Sequence, residues 1–163
     1  MIEVILTDLA LAQADAVVRP ADQSLSPITS AGSRLDERAG PQFAEQRRLA
    51  TPLEAGAAVV TGSGGLAAPF VLHVVIRDQD SGIGREVVRR ALVSAWQRAT
   101  DWELGTIAAP LVGAGPGDLS VEEAATLLAE TFPRGQACPG VLHIVVEQDA
   151  ERVLVEAIVR RIA

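Results

Sequence analysis

The sequence contains no lysine, no asparagine and no tyrosine, and all fourteen of its basic residues are arginines. A Walker-type phosphate loop is therefore excluded, because that motif needs a lysine to reach the phosphates. Any role that depends on an asparagine amide or a tyrosine hydroxyl is excluded as well. An anionic ligand would have to be held without lysine, and backbone N–H groups are the alternative.

Positive charge is in deficit overall, because the formal net charge is -7. Binding of nucleic acid depends on a basic face that neutralises phosphates, so we expect no nucleic-acid partner. The same argument disfavours an anionic membrane surface. A single bound diphosphate is still compatible with this charge, since local backbone dipoles can outweigh a distant net charge.

Long apolar runs and cysteines are also scarce. No apolar run approaches the ~20 residues of a transmembrane helix, and Met1 leads into a strand-like segment rather than a cleavable leader. Cys138 is the one cysteine, so an internal disulfide cannot form. We expect a cytoplasmic protein without a membrane partner.

Metal-ligand spacings of cysteine and histidine are absent from the sequence. The two histidines, His73 and His143, lie inside predicted strands, where a structural role is the better interpretation. We therefore expect neither a metal nor a cofactor.

Apolar segments alternate with amphipathic ones along the chain, and 48% of its residues are hydrophobic. This predicts one α/β domain over residues 1–163, with a largely parallel sheet and helices on both faces. The predicted strands are 2–7, 15–19, 57–61, 69–76, 106–112 and 141–147. The predicted helices are 34–39, 41–50, 85–99, 120–132 and a last one capped by Asp149. Residues 20–33 are predicted to form a long loop.

A glycine-rich turn follows the fifth predicted strand. It contains Gly113, Gly115 and Gly117, and a helix with a capping box of Ser120 and Glu123 comes next. Glycines let a backbone approach a ligand closely, and N–H groups at a helix start attract negative charge. The pattern favours a phosphate or diphosphate site; the alternative is an ordinary strand-to-helix turn.

A second glycine-rich turn, TGSGGL at 61–66, has the GxGxxA spacing at Gly62, Gly64 and Ala67. It precedes a strand rather than a helix, so it does not predict a dinucleotide site. Two acidic residues follow early strands. Asp8 could accept a hydrogen bond from a base amino group or could be an ordinary cap. Asp22 could accept from sugar hydroxyls or could simply be solvated.

Together these segments resemble the macro domain family. The shared order is a strand ending in Asp8, a short strand into a long loop, TGSGGL before a strand with His73, and a strand into a glycine-rich loop. The resemblance covers about residues 2–159 and is most specific over 59–75 and 108–125. It implies a three-layer α/β/α fold with a mixed six-stranded sheet, and a cleft for ADP-ribose or a close derivative.

The resemblance also implies a set of ligand-binding residues. Asp8 and Leu9 would meet the adenine, and Ala21 and Asp22 the distal ribose. Backbone groups would wrap the diphosphate and distal ribose at Ser30, Ala31, Gly32, Ser33, Val112, Gly113, Ala114, Gly115, Pro116 and Gly117. Val145 and Glu147 would lie at the adenine edge.

Departures from the family pattern bear on catalysis. The family's Asn-Ala-Ala-Asn motif is replaced by Arg19, Pro20, Ala21 and Asp22, and no carboxylate stands at the family's acidic position, near Gly32 or Ser33. We therefore expect binding without hydrolysis.

Two alternatives are open. One is a hydrolase of ADP-ribosylated protein or O-acyl-ADP-ribose that uses Asp22 or Asp36. The other is an interaction module that keeps the fold and has lost the ligand. The sequence leaves the oligomeric state open.

Overall fold

Residues 1–78, 82–115 and 119–162, which the computed structural model describes, form strands and helices in alternation. The strands are β1 (Ile2–Leu6), β2 (Ala16–Asp22), β3 (Ala58–Gly62), β4 (Phe70–Arg77), β5 (Thr106–Ala109) and β6 (Val141–Val146). The helices are α1 (Ser30–Ala39), α2 (Pro41–Gln46), α3 (Arg85–Asp101), α4 (Val121–Thr131) and α5 (Asp149–Ile162). A short 3-10 helix, Leu9–Leu11, follows β1.

The strands form one mixed sheet in the order β1-β6-β5-β2-β4-β3. Its neighbouring strands are parallel except for β3 and β4, which are antiparallel. From the centre the chain builds outward in two directions, from β2 to β4 on one side and from β5 to β6 on the other. The predicted six-stranded mixed sheet between helices is confirmed.

Successive side chains of the central strands are buried on opposite faces of the sheet, as strand geometry requires. Val18 belongs to the apolar cluster that contains Leu92 of α3 and Val155 of α5. Val17 belongs to the cluster that contains Leu35 of α1 and Phe43 of α2. Because both faces are covered, the strand sequences read as almost continuous apolar runs.

Strand β2 is longer than the sequence predicts. It continues through Pro20 to Asp22 and pairs with β4 over its whole length, whereas residues 20–22 were expected in a loop. Proline cannot donate a ladder hydrogen bond and is tolerated where a strand edge is open. β2 pairs with β5 only at Ala16 and Val17, so Pro20 lies beyond the last β5 partner.

Helix α1 starts earlier than predicted, at Ser30 instead of residue 34. Thr29 caps it, and the Thr29 hydroxyl accepts a hydrogen bond from the N–H of Gly32 at 2.9 Å. The first turn has no apolar periodicity, so the cap was the one local signal of a helix start. Of the loop expected at 20–33, residues 30–33 therefore belong to α1, and residues 20–22 belong to β2.

Other helix ends follow the sequence more closely. The predicted capping box is confirmed, with reciprocal 3.1 Å hydrogen bonds between Ser120 and Glu123. Asp149 is the first residue of α5 rather than its cap, and its carboxylate accepts from Arg152. None of the helices in the described part of the chain is long and apolar enough to cross a bilayer.

Candidate functional site

The sheet changes its winding direction between β5 and β2, and a cleft opens there. Because the two strands part after two residue pairs, their carboxyl ends leave a crevice, which is where ligands bind in such sheets. The crevice, which we call the central cleft, has a volume of about 330 Å³. It is lined by Leu9, Pro20, Thr29, Ser30, Ala31, Pro110, Leu111, Ala114, Gly115, Val145, Val146, Glu147, Gln148 and Glu151.

The start of α1 forms the first wall. Ser30 and Ala31 line the cleft and are the first two residues of the helix, positions whose N–H groups have no partner within a helix. Gly32 is buried and donates to the Thr29 hydroxyl, while Ser33 donates its N–H to the Thr29 carbonyl at 3.0 Å. Of the four α1 residues predicted for the site, the structure thus brings two to the cleft surface.

The glycine turn after β5 forms the second wall. Gly113 has φ 95°, and a Cβ there would lie 2.6 Å from Leu119 Cδ1 and 3.1 Å from Val88 Cγ2. Gly115 has φ 88°, and a Cβ there would meet no heavy atom within 4 Å. Gly113 therefore lets the turn pack against the core, whereas Gly115 faces the open cleft.

The remaining predicted residues of this turn differ in position. Val112 is buried beneath the turn, and Ala114 lines the cleft with its N–H donated to the Leu111 carbonyl at 3.1 Å. Pro116 and Gly117 lie outside the described residues.

The end of β6 and the 3-10 helix form the third wall. Leu9 and Val145 are buried apolar residues that line the cleft, and Glu147 lines it with a half-exposed side chain. This wall is apolar at its base and acidic at its rim, where Glu151 also lies.

An ion triad stands at the rim of the third wall. Asp8 caps the 3-10 helix, accepting from the N–H of Ala10 at 2.9 Å through Oδ1, and its Oδ2 accepts from Arg34 Nε at 3.2 Å. Arg34 Nη2 donates to Glu147. The bond to Glu147 and then that to Asp8 raise the pKa of Arg34. Each oxygen of Asp8 thus has one partner within the protein, and Asp8 lines a neighbouring depression rather than the central cleft.

The residues predicted for the distal ribose lie apart from the cleft surface. Ala21 is fully buried. Asp22 Oδ1 accepts from the backbone N–H groups of Ser24 and Ser26 at 2.9 and 3.0 Å, and the residue lines a separate depression beside Arg77. Asp22 therefore stabilises the turn after β2.

A buried arginine replaces the first asparagine of the family motif. Arg19 is 0% exposed and makes two 2.7 Å hydrogen bonds to Asp36, from Nε to Oδ1 and from Nη2 to Oδ2. Its Nη1 donates to the Leu25 carbonyl at 2.8 Å. Arg47 approaches Asp36 at 3.5 Å. Asp36 is thus the counter-ion of a buried cation and joins α1 to β2.

His73 completes this buried cluster in a neutral form. Arg19 Nη1 lies 3.2 Å from His73 Nδ1 and can only donate, so Nδ1 accepts. Thr61 Oγ1 donates to the Gly62 carbonyl and lies 2.8 Å from His73 Nε2, which therefore carries the proton. Burial, with the charges of Arg19 and Arg47, lowers the pKa of His73 to about 3.

Several residues that line the cleft were not among the ligand-binding residues expected from the sequence. They are Pro20, Thr29, Pro110, Leu111, Val146, Gln148 and Glu151. Thr29 has a local signal, since a threonine before a helix is a typical cap. No local sequence pattern predicts a binding role for the others, because it is the order of the strands in the sheet that brings them to the cleft. Within the described ranges, no three His, Cys, Asp or Glu side chains gather in a way that could hold a metal ion.

Comparison with known proteins assigns the family. The protein-family model described as Macro domain matches residues 18–128 of the sequence, and the chain belongs to the macro domain family. An uncharacterized protein of Aeropyrum pernix is 31% identical over 143 residues, which cover 82% of this chain and 75% of that protein. An uncharacterized protein of Mycobacterium tuberculosis is 23% identical over 145 residues, and this chain covers 40% of its length.

Solved structures agree on the fold. The Oceanobacillus iheyensis macrodomain with ADP has a TM-score of 0.84 at 19% identity, covering 98% of this chain and 90% of that one. A variant of the same macrodomain with ADPR has a TM-score of 0.82 at 17% identity, covering 98% and 92%. At these identities the likeness establishes the macro domain fold.

The Arg19–Asp36 pair predicts a large effect of one small substitution. Asp36→Asn should lower the free energy of unfolding by about 3 kcal/mol, because it leaves a buried guanidinium without its carboxylate. Urea unfolding would measure this. Asp101→Asn, in the exposed pair with Arg98, is the matched control and should cost less than ~1 kcal/mol. Equal, small losses in both variants would contradict the assignment.

Neutral His73 predicts a pH dependence of stability. In the unfolded chain His73 becomes protonated below the ordinary histidine pKa of ~6.5. In the folded protein it stays neutral until about pH 3, so the unfolded chain binds more protons between these pH values. The free energy of unfolding should therefore fall between pH 7.5 and 5.0, with ~2 kcal/mol of that loss due to His73. In His73→Gln the free energy of unfolding should fall by ~2 kcal/mol less over the same interval. Identical pH profiles for the variant and the wild type would refute the prediction.

Proposed function

We propose that this macro domain binds ADP-ribose or a closely related nucleotide metabolite in the central cleft and does not hydrolyse it. The observation that carries the proposal is the convergence of two backbone segments on one cleft. The start of α1 at Ser30 and Ala31 lies across from the turn that contains Gly115. Membership of the family, and the ADP and ADPR of the Oceanobacillus structures, support the same ligand class.

Backbone groups supply the attraction for a diphosphate in this proposal. A helix N-terminus contributes ~0.3–1 kcal/mol per negative charge, and hydrogen bonds to charged oxygens contribute ~1.5–3 kcal/mol each. A few such bonds are sufficient for micromolar affinity without a lysine. The positive φ of Gly115 and the open space at its Cβ position suit a turn that a phosphate approaches closely.

The rest of the ligand then follows the cleft. Its volume is at the lower end of the ~300–1,000 Å³ typical of small-molecule sites. The nucleobase would pack on the apolar third wall at Leu9 and Val145, with Glu147 at its edge. The distal ribose would lie toward the end of β2, where Pro20 lines the cleft.

The absence of hydrolysis is proposed from the positions of the two candidate carboxylates. Asp22 accepts two backbone hydrogen bonds in the turn after β2, and Asp36 neutralises Arg19. Neither side chain lines the central cleft. A general base must reach the water that it activates, so these contacts favour binding alone.

A thermal shift with three ligands tests the proposal. Millimolar ADP-ribose should raise the unfolding midpoint by a few degrees, because a ligand at 100 times its Kd adds about 2.7 kcal/mol. ADP and ribose 5-phosphate, run in parallel, separate recognition of the whole ligand from recognition of its parts. The absence of a shift with any of the three would overturn the proposal and favour an interaction module that has lost the ligand.

A charge placed at Gly115 tests where the diphosphate lies. Gly115→Glu should abolish the ADP-ribose shift through bulk and like charge in the cleft. The change also strains a backbone with positive φ, so Gly135→Glu is the matched control. Gly135 has φ 75° and equally open surroundings, and it lies in the loop before β6. If folded Gly115→Glu retains its affinity, the diphosphate lies elsewhere.

Incubation with an ADP-ribosylated protein tests the second part of the proposal. The wild type should bind the substrate and release no ADP-ribose, as followed by chromatography of the products. Turnover by the wild type that is lost in Asp22→Ala, or in Asp36→Ala protein shown to remain folded, would instead support the hydrolase.

A further inference from the structure

The sheet has an open edge at β1, which pairs only with β6 among the strands in the described part of the chain. Proteins commonly protect such an edge from pairing with another chain by a lysine, a proline or a bulge. β1 is a five-residue strand, IEVIL, with an unbroken register and none of these devices. Its one charged residue, Glu3, is directed toward β6, where Oε2 lies 3.3 Å from His143 Nε2. The edge is therefore open to pairing with another strand.

The backbone groups of β1 that point to this edge belong to alternate residues. The Met1 carbonyl accepts from the N–H of Leu142 at 2.9 Å, and the N–H of Thr7 donates to the Val146 carbonyl at 3.0 Å. Because the direction of these groups alternates along a strand, the odd-numbered residues of β1 bond β6. The residues whose N–H and carbonyl groups point outward are Ile2, Val4 and Leu6.

Apolar side chains lie beside these outward-pointing groups. Ile2 and Val4 are partly buried against the core on the face of the sheet that α5 covers. Leu6 falls on the same face and is 46% exposed, and Val153 of α5 is 60% exposed. A strand added at this edge would cover these side chains, and the burial of apolar surface would favour the pairing.

The outer side of α5 carries a row of charges. α4 contacts both α3 and α5, and α3 packs on β3 and β4, so α4 lies on the inner side of α5 and the outer side faces the β1 edge. The right-handed turn of the helix directs one stripe to this outer side. It consists of residues that alternate in sign and are 36–78% exposed, namely Asp149, Arg152, Glu156 and Arg160.

We infer that two copies of this chain associate along β1, antiparallel about a twofold axis at Val4, and join their six-stranded sheets into one. Val4 then lies opposite Val4 of the partner subunit, and Ile2 lies opposite Leu6 of the partner subunit. The outward-pointing backbone groups meet as the hydrogen-bonded pairs of an antiparallel ladder. The interface needs no ligand in the central cleft.

The spacing of α5 fits this arrangement. α5 contacts both β1 and β6, so each helix lies over its own β1–β6 pair. Across the new strand pair the two helices are two strand spacings apart, which is ~9–10 Å. Packed helices have interaxial distances of about 8–10 Å, so the two α5 helices would contact each other.

The charges on α5 favour a second copy as the occupant of this edge. A twofold axis makes the helices antiparallel, so Asp149 faces Arg160 of the partner subunit and Arg152 faces Glu156 of the partner subunit. A row of four charges that alternate in sign is thus complementary to itself when it is reversed. An unrelated strand would have no such match with α5.

Sedimentation equilibrium of the tag-free wild type should show monomers and dimers with a Kd of about 10 μM, as for a small interface. Leu6→Lys should raise this Kd at least tenfold, because it places a charge among the apolar side chains of the edge. Leu6 is exposed in the single subunit, so the melting temperature of the monomer should not change. The control is Trp102→Lys, since Trp102 is 52% exposed and contacts Phe70 of β4, far from β1 in the sheet.

A charge swap tests the register of the two helices. Glu156→Arg places like charges against Arg152 of the partner subunit and should raise the dimer Kd about tenfold. Adding Arg152→Glu restores opposite charges between the subunits and should return the Kd to that of the wild type. Within one helix the swap instead sets like charges beside Asp149 and Arg160, so a rescue reports contact between subunits rather than stability of α5.

Asp101→Arg is the control for net charge. It lies in the exposed pair with Arg98 on α3, makes the same charge change as Glu156→Arg, and should keep the wild-type Kd.

Three results would overturn the inference. They are a wild type that stays monomeric at about 1 mM, a dimer that Leu6→Lys leaves intact, and a double variant that dimerises no better than Glu156→Arg. None of them bears on the proposed function, because the thermal shift with ADP-ribose is measured separately.

Discussion

Strands β2 and β5 are paired at only two positions, Ala16 with Ile107 and Val17 with Ala108, and the central cleft depends on their separation. Beyond these pairs the facing edges of β2 and β5 are not hydrogen-bonded to each other. β2 can therefore contain Pro20, and the turn after β5 can approach the start of α1. The winding of the sheet also reverses between these two strands. The short pairing of β2 with β5 therefore places the cleft at the point of reversal, where ligands bind in such sheets.

A buried ion pair stabilises one wall of that cleft. Arg19 and Asp36 join β2 to α1, and Phe43 stacks on the neutral His73 beside them. A buried charge is costly unless its hydrogen bonds are complete, and this one has a bidentate carboxylate and a carbonyl. Arg19, at the position where the family carries an asparagine, thus links β2 to α1 in this chain.

The two sides of the cleft differ in how they could hold a ligand. On one side are backbone groups of Ser30, Ala31 and the turn with Gly115, which act at short range and do not depend on the net charge of -7. On the other side are charged side chains, since Glu147 lines the rim and Arg34 bridges it to Asp8. Backbone donors suit the part of a ligand that all relatives share, whereas side chains can change its preference from one relative to another.

Much of this architecture was predictable from local patterns. Apolar runs predict the six strands, since covered strands need apolar residues on both faces, and the capping box at Ser120 predicts the start of α4. The glycine turn at Gly113 and Gly115 predicts a close approach of the backbone. The start of α1 at Ser30 was missed because a cap without apolar periodicity is a weak signal.

Tertiary structure alone decided which polar residues meet. Asp8 and Glu147 are far apart in the sequence, and both bond Arg34 because β1 pairs with β6 and α1 contacts the 3-10 helix that follows β1. Arg19 is the last residue of the short second strand predicted from the sequence, and it is fully buried because Asp36 and the Leu25 carbonyl accept its hydrogen bonds. The sequence by itself determined the strands, the helices and the backbone turn, because these follow from local periodicity and glycine content. Only the folded structure decided the ion pairs and the walls of the cleft, because they depend on strand order, which no local pattern encodes.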